Sequence, residues 1–89
     1  MAFYLSGTIT VPGDAIGRVR EALPEHIRLT KAEPGCVSFA VEDRGDGIFA
    51  VDEVFEDAEA FGAHQQRIEN TKWASASLSA ERNYRTWEE

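Results

Sequence analysis

Few side chains in this 89-residue sequence are placed to do proton chemistry: His26, His64, Cys36, and one carboxylate, Glu53, set on an otherwise apolar strand face. Phe61, His64 and Ile68 recur at spacings of three and four, the apolar stripe of an amphipathic helix. His64 is therefore directed at the core side, where a pocket would lie. A neutral imidazole there can take a proton from a weakly acidic hydroxyl and hold the resulting anion. The same position suits a packing histidine bonded to a carbonyl or carboxylate. Glu53 shares a strand face with Phe49, Val51 and Phe55, so it must find a partner or keep its proton. Pairing with Arg82 or Arg85, from the last strand or from a second copy, is the commoner arrangement for such an acid. Contact with His64 or with a ligand hydroxyl is the functional alternative. Trp73, Phe39, Phe55, Phe61 and Tyr84 suit the walls of a pocket for a flat ligand, although Phe55 and Phe61 serve a plain core equally well.

The remaining reactive types offer less. His26 precedes Ile27 on the first helix and is expected to be partly exposed. His26 and His64 alone make no metal site, since no third ligand stands at a motif spacing. Cys36 is the only cysteine, which excludes an intrachain disulfide and a cysteine-based zinc site, and it reads as a small buried apolar group. No phosphate-cradling glycine loop or nucleophile elbow is present, and no cofactor is predicted. Nine Lys and Arg against 16 Asp and Glu leave a net charge of −7, which argues against nucleic acid and anionic membrane as partners. No apolar run approaches the ~20 residues of a membrane span. The N-terminus lacks the basic and apolar regions of a signal peptide, so a reduced, cytoplasmic protein is expected.

The elements that must position these groups follow from periodicity. Phe3 to Val11 alternates, with Phe3, Leu5, Gly7, Ile9 and Val11 on one face, and Pro12-Gly13 ends the strand. Asp14 is predicted to cap a helix whose buried stripe is Ile16, Val19, Leu23 and Ile27, kinked by Pro24 and ended by Glu33. Cys36–Asp43 and Ile48–Glu56 form a hairpin around Arg44-Gly45-Asp46-Gly47. Val37, Phe39 and Val41 are predicted on one face and Cys36 and Ala40 on the other. Asp57 caps a second helix, Asn70–Ala80 is less regular and carries Trp73, and Arg82–Trp87 is a last strand. Glu88-Glu89 reads as a disordered end.

The order strand, helix, strand, strand, helix, strand predicts one α+β domain over residues 1–89: a ferredoxin-like βαββαβ fold with an antiparallel sheet. A chain this short buries only about 60–65% of its unfolded surface. Two helices cover one sheet face, yet both faces of the middle hairpin carry apolar groups. A second copy is predicted to cover the open face by two-fold pairing.

Three segments carry a family resemblance: Glu33-Pro34-Gly35-Cys36-Val37-Ser38-Phe39, Phe49-Ala50-Val51-Asp52-Glu53-Val54-Phe55-Glu56-Asp57, and Ala60-Phe61-Gly62-Ala63-His64. Together they resemble the antibiotic biosynthesis monooxygenase domain over essentially the whole chain. The resemblance implies a dimeric α+β barrel with a pocket in each subunit between sheet and helices. Several relatives oxidise polycyclic phenols or quinols with O₂ without metal or flavin, and others degrade haem. By that likeness the chain is expected to be a cofactor-independent monooxygenase for a flat phenolic or quinol-type molecule, with His64 catalytic and Trp73, Glu53, Phe39, Phe55, Phe61 and Tyr84 contacting the substrate. Haem degraders look to have an asparagine on the first strand, where Ser6, Thr8 and Thr10 stand here, which counts against haem. The non-enzymatic alternative is a dimeric small-molecule-binding or stress-related module in which His64 is structural.

Overall fold

Alternation in the strands and three-to-four spacing in the helices resolve into eight short elements, and the computed structural model describes residues 1–89. Strand β1 (Phe3–Thr10) leads through a single 3-10 turn (Gly13–Ala15) into helix α1 (Ile16–Lys31). Strands β2 (Cys36–Asp43) and β3 (Ile48–Phe55) follow, then helix α2 (Ala58–Ile68), a short helix α3 (Lys72–Ala76) and strand β4 (Glu81–Glu88). The sheet order is β2-β3-β1-β4 and every neighbouring pair is antiparallel. This is the α+β arrangement that the element order predicts. No helix is long and apolar enough to cross a membrane.

Register decides what faces the helices. Leu5 pairs with Glu53, Gly7 with Val51 and Ile9 with Phe49, so these residues share one face. That face meets Val19, Ala22, Trp73 and Ala76 from the helices in one apolar core. The opposite face carries the row Val54, Tyr4 and Trp87, with Tyr4 and Trp87 stacked at 5.2 Å. The hairpin between β2 and β3 turns on Gly45, Asp46 and Gly47, all with positive φ, and closes with an Arg44 N–H to Ile48 carbonyl bond of 2.9 Å.

Several local expectations are corrected. Asp14 lies inside the 3-10 turn and does not cap α1, whose first position has no side-chain cap. Helix α1 continues through Pro24, and its buried line is Val19, Ala22, His26 and Thr30 rather than Ile16, Val19, Leu23 and Ile27. The helix is rotated because α3 packs against it, with Trp73 laid on His26; His26 is thus buried, 5% exposed, instead of partly exposed. A bulge between Cys36 and Ser38 places Cys36 opposite Phe55 on the helix side and leaves Val37 62% exposed. Alternation read straight through that bulge assigns both residues to the wrong face. Glu88 belongs to β4, and Glu89 exchanges backbone hydrogen bonds of 3.0 and 3.1 Å with Ala2, so the end is paired, not disordered.

Candidate functional site

Helix α2 begins at Asp57, whose carboxylate accepts from the Ala60 amide at 2.8 Å. Two turns later it delivers His64, 2% exposed, to the helix-facing side of the sheet. Phe55 lies 4.9 Å from the imidazole, and Phe39 and Phe61 lie 6.0 and 6.3 Å away, centroid to centroid. Such a ring must satisfy its nitrogens inside the protein. Nδ1 lies 3.0 Å from Glu33 Oε2, and Glu33 is held in turn by the Arg67 guanidinium. Arg67 also donates to Thr30 Oγ1 at 2.9 Å. With Glu33 accepting at Nδ1, the neutral imidazole carries its proton there and presents a lone pair at Nε2.

That lone pair looks toward Glu53. Nε2 and Glu53 Oε1 are 3.8 Å apart, beyond a direct hydrogen bond, and Oε1 is buried without any partner. Burial, and then the negative charge of Glu33, raise the Glu53 carboxyl from 4.5 to about 7. Neither expected arginine reaches it. Arg82 donates to the carbonyl and hydroxyl of Ser77 at 3.1 and 3.0 Å, and Arg85 stacks over Trp87. The centre therefore holds an acceptor nitrogen and a carboxyl that keeps its proton near neutrality, separated by a gap that a hydroxyl oxygen beside both could bridge.

A second pair of rings adjoins this centre. His26 stacks on Trp73 at 4.5 Å and 6°, lies edge-on to Phe39 at 5.4 Å, and is 6.0 Å from His64. Burial, with the nearby His64 and Arg67, lowers its pKa from 6.5 to about 3, so the ring is neutral. Trp73 is positioned by α3, which Thr71 caps by accepting from Ala74 N–H at 3.2 Å. On the outer side of these rings, α1 and α3 bound a cleft of about 750 Å³ whose lining includes His26, Trp73 and Arg67.

The sequence-predicted residues separate into two groups. His64, Glu53, Phe39, Phe55 and Phe61 come together around one point, with Trp73 one ring beyond, across His26. Tyr84 is half-buried against the core on the same sheet face; burial raises its hydroxyl above the ordinary value despite the opposing Arg82, and Glu53 adds to the rise. Sequence reasoning missed Glu33, Arg67, Thr30 and His26. One signal was present: Arg67 stands three residues after His64 on the same helix face, and a half-buried cation beside a buried histidine requires an acid.

Residues 2–76 match the family model described as antibiotic biosynthesis monooxygenase. A provisionally named antibiotic biosynthesis monooxygenase from Nitrosomonas europaea superposes with a TM-score of 0.79 at 16% identity, over 100% of this chain and 98% of the other. Rv0793 from Mycobacterium tuberculosis gives 0.78 at 17% identity, over 100% and 95%. A conserved protein of unknown function from Bacteroides thetaiotaomicron, described as a possible oxidoreductase, gives 0.73 at 19% identity, over 99% and 97%. No curated protein matches the sequence. At these identities the structural likeness is one of fold.

Proposed function

The chain belongs to the antibiotic biosynthesis monooxygenase family, and from that premise we propose that it oxidises a flat phenol or quinol with O₂, without metal or organic cofactor. The observation that carries this reading is the buried His64, bonded to Glu33 at Nδ1 and facing the unpartnered Glu53 carboxyl at Nε2. In this reading His64 is the base. The substrate hydroxyl donates to Nε2 and accepts from the protonated Glu53, so loss of its proton leaves an anion held between an imidazolium and a carboxylic acid. Glu33 acts through His64: it fixes the tautomer and stabilises the imidazolium, while the Arg67 guanidinium holds Glu33 in place. Phe39, Phe55 and Phe61 exclude water, which strengthens each of these interactions.

The deprotonated ring supplies the electrons. One passes from the phenolate to O₂, the radical pair recombines as a peroxide at a ring carbon opposite the hydroxyl that still bears hydrogen, the peroxide takes the proton held on His64, and loss of water with that carbon's hydrogen leaves a carbonyl there. One oxygen atom enters the product and the other leaves as water, so a phenol becomes a quinone with no outside reductant. A second copy of the chain is proposed as the partner covering the open sheet face, and the lone Cys36 is compatible with a cytoplasmic setting.

The test is O₂ consumption with a panel of phenols, quinols and anthrones, comparing the wild-type protein with His64→Ala. Uptake that falls at least 100-fold in the variant is expected, as for loss of a general base. Equal rates, or no uptake across the panel, would falsify the assignment.

A further inference from the structure

His26 is a buried titratable group that the oxidation above does not use. Its ring is stacked on Trp73 and edge-on to Phe39, and no protein group bonds either nitrogen. The two nitrogens have different surroundings. Nδ1 is fully enclosed without a partner, whereas Nε2 is not enclosed and the ring lines the cleft between α1 and α3. One imidazole thus stands between solvent in the cleft and the protein interior.

On the inner side are the other unsatisfied groups. Glu53 Oε1 is enclosed without a partner, and His64 Nε2 lies 3.8 Å from it. The centres of the His26 and His64 rings are 6.0 Å apart, and Phe39, which His26 meets edge-on, is directly opposite Glu53 in the sheet. Two buried orphans and a free lone pair around one phenylalanine match a buried water, which normally satisfies about three such groups. A metal ion fits less well, since no three His, Cys, Asp or Glu groups lie close enough to share one.

We propose that His26 relays protons between solvent in the cleft and the Glu53 carboxyl, through one water held by His26 Nδ1, Glu53 Oε1 and His64 Nε2. Inward, a solvent proton binds Nε2 while Nδ1–H passes its own through the water to Glu53. Outward, Glu53 returns a proton through the water to Nδ1, and Nε2–H releases one to the cleft. The pair of steps restores the starting tautomer, so the ring never has to leave Trp73. The other groups near Glu53 are poorer carriers. Burial raises Cys36 and Tyr84, so both keep their protons, and Arg67 at the cleft does not release one. Glu33 is engaged by Arg67 and His64. Use of the relay to keep Glu53 a donor in turnover rests on the reading above; the proton transfer itself does not.

The experiment follows the infrared carbonyl stretch of the protonated Glu53 carboxyl, identified by its loss in Glu53→Gln, after a rapid pH jump through 7. His26→Phe keeps a ring on Trp73 and deletes both nitrogens, and the band should decay at least about tenfold more slowly than in the wild type. In His26→Ala, added imidazole should restore the rate, while thiazole, a ring of like size without an N–H, should not. An unchanged rate in folded His26→Phe overturns the proposal and routes the proton through Glu33 and His64. Equal effects of the two added rings, or no Glu53 band in the wild type, overturn it as well. Slowed transfer in His26→Phe alongside equal O₂ uptake by wild type and His64→Ala leaves the relay standing and removes the base.

Discussion

A carboxyl group that keeps its proton near neutral pH constrains the chemistry of this centre more than any other residue. Glu53 sits where its charged form meets apolar walls and the negative Glu33, and both act in the same direction. In its neutral form it can donate to a developing anion; ionised, it would repel one. The sign follows: the donor is present below pH about 7 and lost as pH rises through it. The kcat/KM for O₂-dependent oxidation should therefore fall about tenfold per pH unit above that value. Glu53→Gln, whose amide donates at every pH, should keep activity within a few-fold at pH 6 and lose the alkaline limb. An unchanged limb in the variant would remove Glu53 from the donor role. The exceptional character of Glu53 was legible in the sequence, because an acid interrupting Phe49, Val51 and Phe55 demands an account. Its surroundings were not. Glu33 lies 31 residues from His64 and meets it only through the packing of α2, and Arg82 is drawn off by the end of α3.

At the scale of elements, the turn from α1 into β2 must deliver Glu33 to α2 at close range, and Gly35 makes that approach feasible. A β-carbon at Gly35 would collide with that of Ala60 in the first turns of α2, while the Gly35 carbonyl accepts from Glu56 N–H at 2.9 Å. Gly35→Ala should destabilise the fold by about 1–3 kcal/mol, the usual effect of overpacking. It should also lower O₂ uptake by pushing α2, and with it His64, away from Glu33. Adding Ala60→Gly restores the space, so urea unfolding of the pair should show a favourable coupling of at least about 0.5 kcal/mol. Strict additivity would mean that the contact does not limit the packing. Element order was readable here because the periods of two and near 3.6 are distinct over eight or more residues. Face assignment failed where one more residue or one more helix intervened. The bulge at Cys36–Ser38 exchanges two side chains between faces, and α3, too short to announce itself by periodicity, rotates α1 until His26 and Thr30 are inside.

Across the whole molecule, the two sheet faces and the two buried titratable groups each lead to a measurement. The open face presents Val54, Tyr4 and Trp87 in one row, with Ile48 and Val37 exposed nearby. The second copy proposed there should give a scattering mass near twice 9.9 kDa at micromolar concentration. Val54→Lys, which sets two like charges across a two-fold axis, should return the mass to that of one chain. A wild-type particle of one-chain mass would leave the row uncovered and sink the pairing. The buried groups act on stability in opposite senses. Glu53 is raised from 4.5 to about 7, so its contribution is intact below pH 4.5 and is lost as pH climbs through 7. His26 is lowered from 6.5 to about 3, so its contribution is intact above pH 6.5 and is lost as pH falls through 3. At 1.36 kcal/mol per unit the full effects are on the order of 3 and 5 kcal/mol. At one fixed protein concentration, the unfolding free energy of Glu53→Gln minus that of wild type should grow from pH 4.5 to about 7 and then level. The same difference for His26→Phe should instead grow as pH falls below 6.5. Parallel pH curves for all three proteins would show that neither group is held against its ordinary ionisation. Opposed slopes would tie the same two groups that define the site to the pH window in which the fold survives.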